Sequence, residues 1–392
     1  MSAEGGGGPD SVRGAGTPES EAAGPDFVTA PGFEEAAGVF DDQIRRGLHF
    51  GAQIEVWHGD RRVLSRWGGS RDSRGARPVL VDTPFAAYSA TKALTAACIH
   101  KLADEGRLDL DAPVAGYWPA FAARGKGGVT ASHVLLHQAG IPASADLPEL
   151  LSWLVPGGGE RRAAARRPEH APGEKTIYHA FTGGFVLGEV IRRVSGLSAA
   201  DYLRREFLSP LGMRDSYPGL PLRELRRASG IHTADPAQTG AARVFSNPLY
   251  RRLFLPAASL NTCARDLARF YRMLSAGGEL DGRRYLSREA VERATALRWD
   301  GPDAQSGMRI RWAQGFGLGG YSPFPDREIR HMGRGATEKT FGHSGQGGCA
   351  FGWADPPSGL VFAFTCNRFQ DIPGAHLRFQ ELADACWTGI GK

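Results

Sequence analysis

The amino-acid sequence predicts an α+β fold, in which an antiparallel sheet is covered by the first and last helices and an all-α lobe is inserted into it. Short β-prone runs joined by tight turns lie near both ends of the chain, and each set is next to an amphipathic helix. The middle shows helical periodicity interrupted by Gly and Pro. Because the terminal strands must pair across this middle, we expect the helical region to be an insertion.

The first elements are a helix and a hairpin. Apolar residues recur at helical spacing from Phe33 to Leu48. The following run GAQIEVWHGDRRVLSRWGG contains two β-prone segments on either side of His58-Gly59-Asp60, which is a typical turn sequence.

The helical lobe is expected to begin at Phe85. The segments FAAYSATKALTAACIHKLADEG, ASHVLLHQAG, FTGGFVLGEVIRRVSG, AADYLRREFLSPLG and ARDLARFYRMLSAGG have helical spacing and Gly or Pro stops. They predict a mostly α-helical stretch that extends to about Gly277.

The chain then returns to strands and ends in a helix. The runs FGHSGQGG, GCAFGWADP and GLVFAFTCNR are β-prone, and a Pro-Pro-Ser-Gly turn joins the last two. The closing helix is amphipathic and carries Leu377, Leu382, Ala385 and Trp387. We therefore predict one domain over 27–392, with an α/β lobe from 27–84 and 290–392 and a helical lobe from 85–289.

Composition excludes several classes of protein. With 392 residues, 42% hydrophobic and 23% charged, the chain is neither collagen-like nor wholly disordered. The net charge is +5, but the basic residues are scattered among acids, so no nucleic-acid partner is expected. The odd number of cysteines and the lack of a CxxC pair predict buried thiols in a reducing compartment rather than disulfides or a zinc ribbon. They are Cys98, Cys263, Cys349, Cys366 and Cys386.

The N-terminal segment predicts a tail without a targeting function. Residues 1 to about 26 are rich in Gly, Pro, Ser and Glu, a composition typical of disorder. They contain neither a basic and apolar leader nor a lipidation signal, and no later stretch approaches 18 uninterrupted apolar residues. We expect a cytoplasmic protein with no membrane partner.

A possible nucleophile lies in the tetrad Ser89-Ala90-Thr91-Lys92. Residues three apart on a helix share one face, so the hydroxyl of Ser89 and the amine of Lys92 can touch. A lysine with a pKa lowered by burial can take the proton of a serine hydroxyl, and a helix N-terminus offers N–H groups to an oxyanion. Taken alone, the tetrad also fits a solvated serine beside a surface lysine.

Four further segments follow the tetrad in order: LLHQAGIP (135–142), PGEKTIYHAFTGGFVLGEVIRRVSG (172–196), AASLNTCARDLARF (257–270) and FGHSGQGGCAFGWADP (341–356). Together they resemble the serine β-lactamase and penicillin-binding-protein family, most closely its class C and family VIII esterase branch, with its SxxK, YxN and KTG-type elements. The likeness covers nearly all of the chain after the tail. It implies a β-lactamase/transpeptidase-like fold and chemistry through a serine acyl-enzyme.

The resemblance implies a role for each of three residues. Ser89 would be the nucleophile and Lys92 its base. Tyr178 matches the family tyrosine, whose phenol relays a proton to the leaving group. The alternative for Tyr178 is a core tyrosine with a satisfied hydroxyl.

The resemblance also implies a substrate-binding strand from His343 to Gln346. His343 would line the site opposite Ser89 and hydrogen-bond the substrate or the tyrosine; its alternative is an edge-strand histidine facing water. Beside it, Ser344 and Gly345 continue the substrate-binding edge, and the glycine would let the strand approach the acyl group closely. The N–H of Gln346 would join that of Ser89 as the oxyanion hole.

One position departs from the family pattern. The second element normally ends in Asn, but residue 180 is Ala. This change puts recognition of a β-lactam or peptide amide in doubt and favours ester or thioester acyl donors. His137, after a Leu-Leu pair, is interpreted as a structural histidine at a helix end.

The sequence therefore predicts a serine hydrolase that acts on an ester or amide of a small acyl substrate, most closely a carboxylesterase. Two alternatives remain: an acyltransferase that passes the acyl group to an amine or alcohol, and a catalytically retired binding or scaffold protein. Residues 342–346 fail the GxSxG pattern because position 346 is Gln, so an α/β-hydrolase is excluded. Without an HExxH, P-loop or dinucleotide motif, no metal or other cofactor is expected.

Overall fold

A computed structural model of the protein describes residues 26–142, 146–233 and 236–392. Residues 1–25, which hold almost all of the predicted tail, lie outside the described residues. Within the described ranges the predicted α+β class is confirmed: a large antiparallel sheet is combined with helices that cover both of its faces.

The strands, in chain order, are β1 (Val28–Thr29), β2 (Gly51–His58), β3 (Arg61–Gly69), β4 (Phe85–Ala86), β5 (Tyr217–Pro218), β6 (His232–Thr233), β7 (Leu260–Thr262), β8 (Glu279–Leu280), β9 (Arg283–Arg284), β10 (Trp299–Pro302), β11 (Arg309–Trp312), β12 (Gly317–Leu318), β13 (Phe341–Ser344), β14 (Ala350–Asp355), β15 (Leu360–Cys366) and β16 (Arg368–Phe369). Nine of them form the main sheet in the order β1-β3-β2-β15-β14-β13-β12-β11-β10.

The α-helices are α1 (Glu34–Arg45), α2 (Thr91–Asp104), α3 (Val114–Tyr117), α4 (Ala131–Leu135), α5 (Leu147–Trp153), α6 (Gly158–Ala165), α7 (Thr182–Ser195), α8 (Ala199–Leu203), α9 (Thr239–Ser246), α10 (Pro248–Arg252), α11 (Ala264–Ser275), α12 (Arg288–Thr295) and α13 (Ile372–Thr388). Short 3₁₀ turns cover Tyr88–Ala90, Pro119–Gly125, Leu222–Glu224, Pro236–Gln238 and Gln346–Gly348, and a π-helical turn covers Arg204–Leu208.

The sheet is joined at its centre by β2 and β15. These strands pair from His58 with Leu360 to Ala52 with Cys366, so segments from the two ends of the chain lie side by side. β14 and β15 are buried along their whole length, which explains their continuous apolar sequences. Helices α1 and α13 cover one face of the sheet and α11 covers the other.

The helical region lies between β3 and β10, and α2 runs through its centre. Ten of the 14 residues of α2 are buried, and the helix packs against α7, α8 and α12. A helix surrounded in this way is apolar around most of its circumference. The burial of α2 places its first turn, which follows Ser89, at the junction with the sheet.

The structure corrects the predicted start of this helix. Phe85 and Ala86 form β4 instead, because their backbones pair with Thr262 and Asn261 of β7, which no local pattern reveals. The chain then turns sharply at Tyr88, where φ is +47°, before α2 begins at Thr91. Leu377, expected on the buried face of the last helix, is 46% exposed.

The hairpin and the C-terminal strands agree with the sequence patterns. The turn at residues 59–60 joins β2 to β3, and the Pro-Pro-Ser-Gly turn joins β14 to β15. Strands β10, β11 and β12 extend the sheet beyond what these patterns indicated. All five cysteines are buried and free. Within the described ranges, no helix combines the length and apolarity needed to cross a bilayer.

Candidate active site

Ser89 lies in the 3₁₀ turn that leads into α2, and two other segments fix this turn. Leu260 of β7 donates its N–H to the hydroxyl of Thr91 at 3.0 Å, and the hydroxyl of Thr95 donates to Pro256 O at 2.5 Å. Ala87 donates its N–H to Leu260 O at 2.8 Å. The start of α2 is therefore joined to the 256–260 loop, and the position of Ser89 is set on both sides.

Lys92 faces Ser89 across one turn, as the tetrad predicted. Its Nζ lies 3.2 Å from Ser89 Oγ, 2.8 Å from Ala180 O and 3.1 Å from Ala257 O. Burial lowers the pKa of Lys92 to about 7, because the charged form loses water and gains only neutral acceptors. At neutral pH a large share of this lysine is an uncharged amine that can accept a proton.

Tyr178 completes this group of side chains. Its ring lines the same cavity as Ser89, and Lys92 Nζ lies 4.9 Å from the ring centre. Burial raises the pKa of Tyr178 above its usual range, so the phenol keeps its proton at neutral pH. Tyr178 is half-buried and lines the cavity, so its phenol lies at the site rather than in the core.

The strand β13 and the turn after it form the opposite wall. His343 is buried rather than facing water, and its Nδ1 lies 2.9 Å from Ser344 O while its Nε2 has no partner. Burial, followed by the nearby Lys92, lowers the pKa of His343 to about 3, so the imidazole is neutral. Ser344 and the exposed Gln346 line the same cavity as Ser89.

Gly345 allows the strand to pack against the turn that holds Ser89. A Cβ at this position would lie 2.4 Å from Ala87 O, a distance that no side chain could tolerate. The sequence analysis expects this glycine to let the strand approach the acyl group. In the structure the strand does approach closely, but the atom that it approaches is the carbonyl oxygen of Ala87, two residues before Ser89.

The turn Gln346–Gly348 is held from behind by Arg378 of α13. This arginine is 1% exposed and donates to Gly347 O at 3.2 Å and to Gly348 O. It also donates to Leu48 O at 3.3 Å. A buried guanidinium bound to carbonyl oxygens fixes the direction of those carbonyls, and with them the conformation of the turn.

Three residues that the sequence motifs did not assign to the site help to position Tyr178. Asp303 accepts the backbone N–H of Tyr178 at 2.8 Å. The ring of His137 lies 4.5 Å from that of Tyr178, and its Nδ1 accepts the N–H of His179 at 3.1 Å. Trp312 packs beside the same tyrosine and beside His343. His137 does follow the end of α4, as expected, but it also contacts the site directly.

Ala180, the departure from the family pattern, contributes its backbone rather than its side chain. Its carbonyl makes the shortest contact to Lys92 Nζ, at 2.8 Å. The lysine is thus held by two backbone carbonyls, those of Ala180 and Ala257. Loss of the asparagine amide therefore leaves Lys92 anchored.

These side chains open onto one cavity of about 540 Å³. Ser89, Tyr178, His343, Ser344, Gly345 and Gln346 all line it. Much of the remaining wall is apolar or aromatic, formed by residues that include Phe181, Phe245, Met308, Ile310, Trp312 and Phe351. The cavity can accept a sizeable apolar molecule beside the serine.

A possible cation-binding group lies elsewhere. In the described part of the chain, Asp215, Cys263 and Asp266 bring three ligand atoms within 4.8 Å of one another. Arg227 and Arg265 form ion pairs with Asp215 at 2.8 and 3.1 Å. Burial raises the pKa of Asp266 to about 6 and that of Cys263 well above its ordinary value. The group is balanced by arginines and does not line the cavity.

Comparison with known proteins identifies the family. A family model described as Beta-lactamase matches residues 39–386, which is most of the chain. The chain belongs to the beta-lactamase family. Among its relatives in this family, the esterase/beta-lactamase LipL of Mycobacterium tuberculosis (strain ATCC 25618 / H37Rv) is 33% identical over 348 residues, covering 81% of this chain and 77% of LipL.

Solved structures of beta-lactamase-fold proteins agree with this assignment. A penicillin-binding protein homologue from Caulobacter crescentus is 31% identical with a TM-score of 0.81, and a family VIII carboxylesterase is 32% identical with a TM-score of 0.77. Each alignment covers 92% of this chain and 98% of the other. The family resemblance inferred from the motifs is confirmed, and this beta-lactamase-fold family includes esterases.

Proposed function

We propose that the protein is a serine hydrolase that forms an acyl-enzyme on Ser89 and that its substrates are carboxylic esters. The observation that carries this proposal is the 3.2 Å contact between Ser89 Oγ and Lys92 Nζ, an amine with a pKa that burial lowers to about 7. A neutral amine in hydrogen-bond contact with a serine hydroxyl is the arrangement that general-base activation requires.

Acylation begins when Lys92 accepts the Ser89 proton as Oγ attacks the ester carbonyl carbon. The oxyanion that forms is stabilised by the backbone N–H groups of Ser89 and Gln346. Tyr178 gives its proton to the departing alkoxide and regains one from the lysine ammonium. The alcohol leaves, and the enzyme returns to its starting charge with the acyl group on the serine.

Deacylation uses the same groups with water as the nucleophile. A water molecule attacks the acyl carbonyl and gives one proton to Tyr178, which passes its own proton to the neutral amine of Lys92. Collapse of the second oxyanion expels Ser89, which takes the proton back, and the carboxylic acid leaves. No other group is needed for the protons to balance.

Three observations favour esters over amides and β-lactams. Position 180 lacks the side-chain amide that would bind an amide-bearing acyl group. The cavity wall is largely aromatic and apolar. LipL carries the name esterase/beta-lactamase, and a family VIII carboxylesterase is among the similar structures.

The test is covalent labelling with a fluorophosphonate probe, followed by mass spectrometry of the modified peptide. We expect one label on Ser89, none in Ser89→Ala and full labelling in the matched control Ser73→Ala, which changes an exposed serine. A label on Ser344 would contradict the assigned roles. Absence of any label would support the catalytically retired alternative.

Product analysis then separates hydrolysis from acyl transfer. The acyl-enzyme is formed with a p-nitrophenyl ester, and a panel of amines is added at millimolar concentration. Hydrolysis predicts the free acid as the dominant product with every amine. Amide formed at a rate that saturates in one amine would replace the hydrolase with an acyltransferase, since only a bound acceptor can compete with water in this way.

A further inference from the structure

Two histidines lie together at an end of the cavity to which the mechanism assigns no role. His331 comes from the loop between β12 and β13, and His376 comes from the first turns of α13. Both line the cavity that Ser89 lines, and their ring centres are 4.7 Å apart. The surrounding wall is apolar, because Phe351, Phe379 and Ile372 line the cavity beside them.

In the described ranges, no hydrogen bond joins either imidazole to another residue. The Nδ1 atoms of His331 and His376 are buried and unbonded, so the Nε2 atoms are the ones that a ligand in the cavity can reach. Burial lowers the pKa of His376 to about 4, and burial next to His376 lowers that of His331 well below its ordinary value. Both rings are therefore neutral at pH 7, and each offers one donor and one acceptor.

A ligand group that hydrogen-bonds to the two Nε2 atoms is favoured over an apolar group, which would displace water from these atoms and leave them without a partner. A charged ligand is not favoured in the same way, because the pair carries no net charge at neutral pH. The chemistry of this part of the cavity matches a hydroxyl or a carbonyl group.

The position of the pair indicates which part of the substrate reaches it. Ser344 pairs with Phe351 across β13 and β14, and the ring of His331 stacks on Phe351 at 5.3 Å. With cross-strand Cβ atoms about 5 Å apart, the pair lies on the order of 10 Å from Ser344. Tyr178, which protonates the leaving alcohol in the proposed reaction, packs against Trp312 of β11, and the sheet order places β11 on the other side of β13 from Phe351 of β14. The acyl chain is therefore the part that extends towards α13.

We propose that His331 and His376 form a polar subsite that binds an uncharged hydroxyl or carbonyl group near the far end of the acyl chain. This inference rests on the proposed esterase function and specifies its substrate class: esters of medium-length hydroxy or oxo acids. The subsite acts through hydrogen bonds alone, so no group is transferred there.

The experiment compares two p-nitrophenyl esters of equal length, the 8-hydroxyoctanoate and the nonanoate, which differ only in a terminal hydroxyl in place of a methyl group. An apolar pocket would prefer the methyl compound. We expect kcat/KM to favour the hydroxy ester by about 10-fold or more in the native protein. In His331→Phe and His376→Phe the preference should reverse, whereas the control His58→Phe, an exposed histidine on β2, should keep it.

Two checks ensure that a changed preference reflects the subsite. Hydrolysis of p-nitrophenyl acetate, which is too short to reach the pair, should change far less in both variants than hydrolysis of the hydroxy ester and so reports a folded site. His376→Gln retains a donor and an acceptor and should keep part of the preference even if the phenylalanine variants fold poorly. A native protein that favours the nonanoate, or favours a terminal carboxylate over the hydroxyl, would overturn the proposal. Inhibition by micromolar Zn²⁺ that His331→Phe abolishes would also overturn it, because the pair would then be a metal site.

The subsite can also be tested if the protein turns out not to hydrolyse esters, because binding can be measured without turnover. If no ester is turned over, calorimetric binding of the methyl esters of the same two acids to Ser89→Ala still tests the subsite. Tighter binding of the hydroxy ester, lost in Ser89→Ala/His331→Phe, would keep the subsite without the reaction. Equal binding of the two methyl esters would reject it.

Discussion

The pH dependence of Ser89 acylation provides a direct test of how the site works. Burial lowers the pKa of Lys92 from 10.5 to about 7, and only the uncharged amine can accept the serine proton. A lowered lysine pKa means that the active form appears as the pH rises through 7. Activity should therefore increase with pH and then become constant.

The magnitude follows from the neutral fraction of Lys92. With a pKa of about 7, this fraction is roughly 0.09 at pH 6 and roughly 0.91 at pH 8, so the acylation rate rises about 10-fold over these two pH units and then levels off. With an ordinary lysine pKa, the rate would instead rise about 10-fold for each pH unit up to pH 10. Nearby histidines do not produce this inflection, because burial lowers the pKa of His343 to about 3 and that of His137 well below its ordinary value.

The assay is the second-order rate of fluorophosphonate labelling between pH 5 and pH 10, with Ser89→Ala as the background. Lys92→Arg should lower the rate by about 10²- to 10⁴-fold and remove the inflection, because a guanidinium stays charged throughout. Lys339→Ala removes an exposed lysine and should leave the profile unchanged. A native rate that climbs steadily to pH 10, or an inflection near 7 that survives in Lys92→Arg, would refute this mechanism.

Three other predictions concern the groups around this pair. Tyr178→Phe should lower kcat by about 10²- to 10⁴-fold, and its combination with Lys92→Arg should be far from additive in steady-state kinetics; native turnover would exclude the tyrosine from proton transfer. Because residue 180 is Ala, kcat/KM for p-nitrophenyl acetate should exceed that for a cephalosporin, and the reverse order would contradict the ester preference. Asp303→Ala should reduce kcat about 10-fold by releasing the backbone of Tyr178, with recovery in Asp303→Asn, which keeps an acceptor; equal loss in both variants would indicate a different role.

Local patterns predicted the parts of the fold that depend on local contacts. The β2–β3 hairpin and the final strands follow from alternation and turn residues, and the contact of Ser89 with Lys92 follows from their spacing of three. His343 was placed on the correct strand, and the structure resolves its environment as buried rather than water-facing.

The remaining parts depend on contacts between distant segments. Asp303 binds a residue 125 positions earlier, and Trp312 donates its indole N–H to Leu135, 177 positions earlier. Strand β12 has two residues, which is too short for an alternating pattern. The local sequence of β4 predicts the beginning of a helix, because only the pairing with β7 makes this segment a strand. Such contacts leave no signal in the segments themselves.

The pairing of β2 with β15 has a consequence for how the protein is made. Thr365 donates its hydroxyl to the side chain of Gln53 across 312 positions. The carbonyl of Arg378, the residue that fixes the turn after β13, accepts the side-chain amide of Gln43, 335 positions earlier. At about 5 to 20 residues per second, roughly 15 to 70 seconds of synthesis separate these partners. Ser89 and Lys92 leave the ribosome early, within a largely helical region of the chain, where contacts are mostly local. The opposite wall of the cavity, formed by β13 and its turn, is completed only when α13, nearly the last segment translated, has been made. A nascent chain can therefore hold Ser89 and Lys92, the proposed nucleophile and base, for most of its synthesis before the proposed active site is complete.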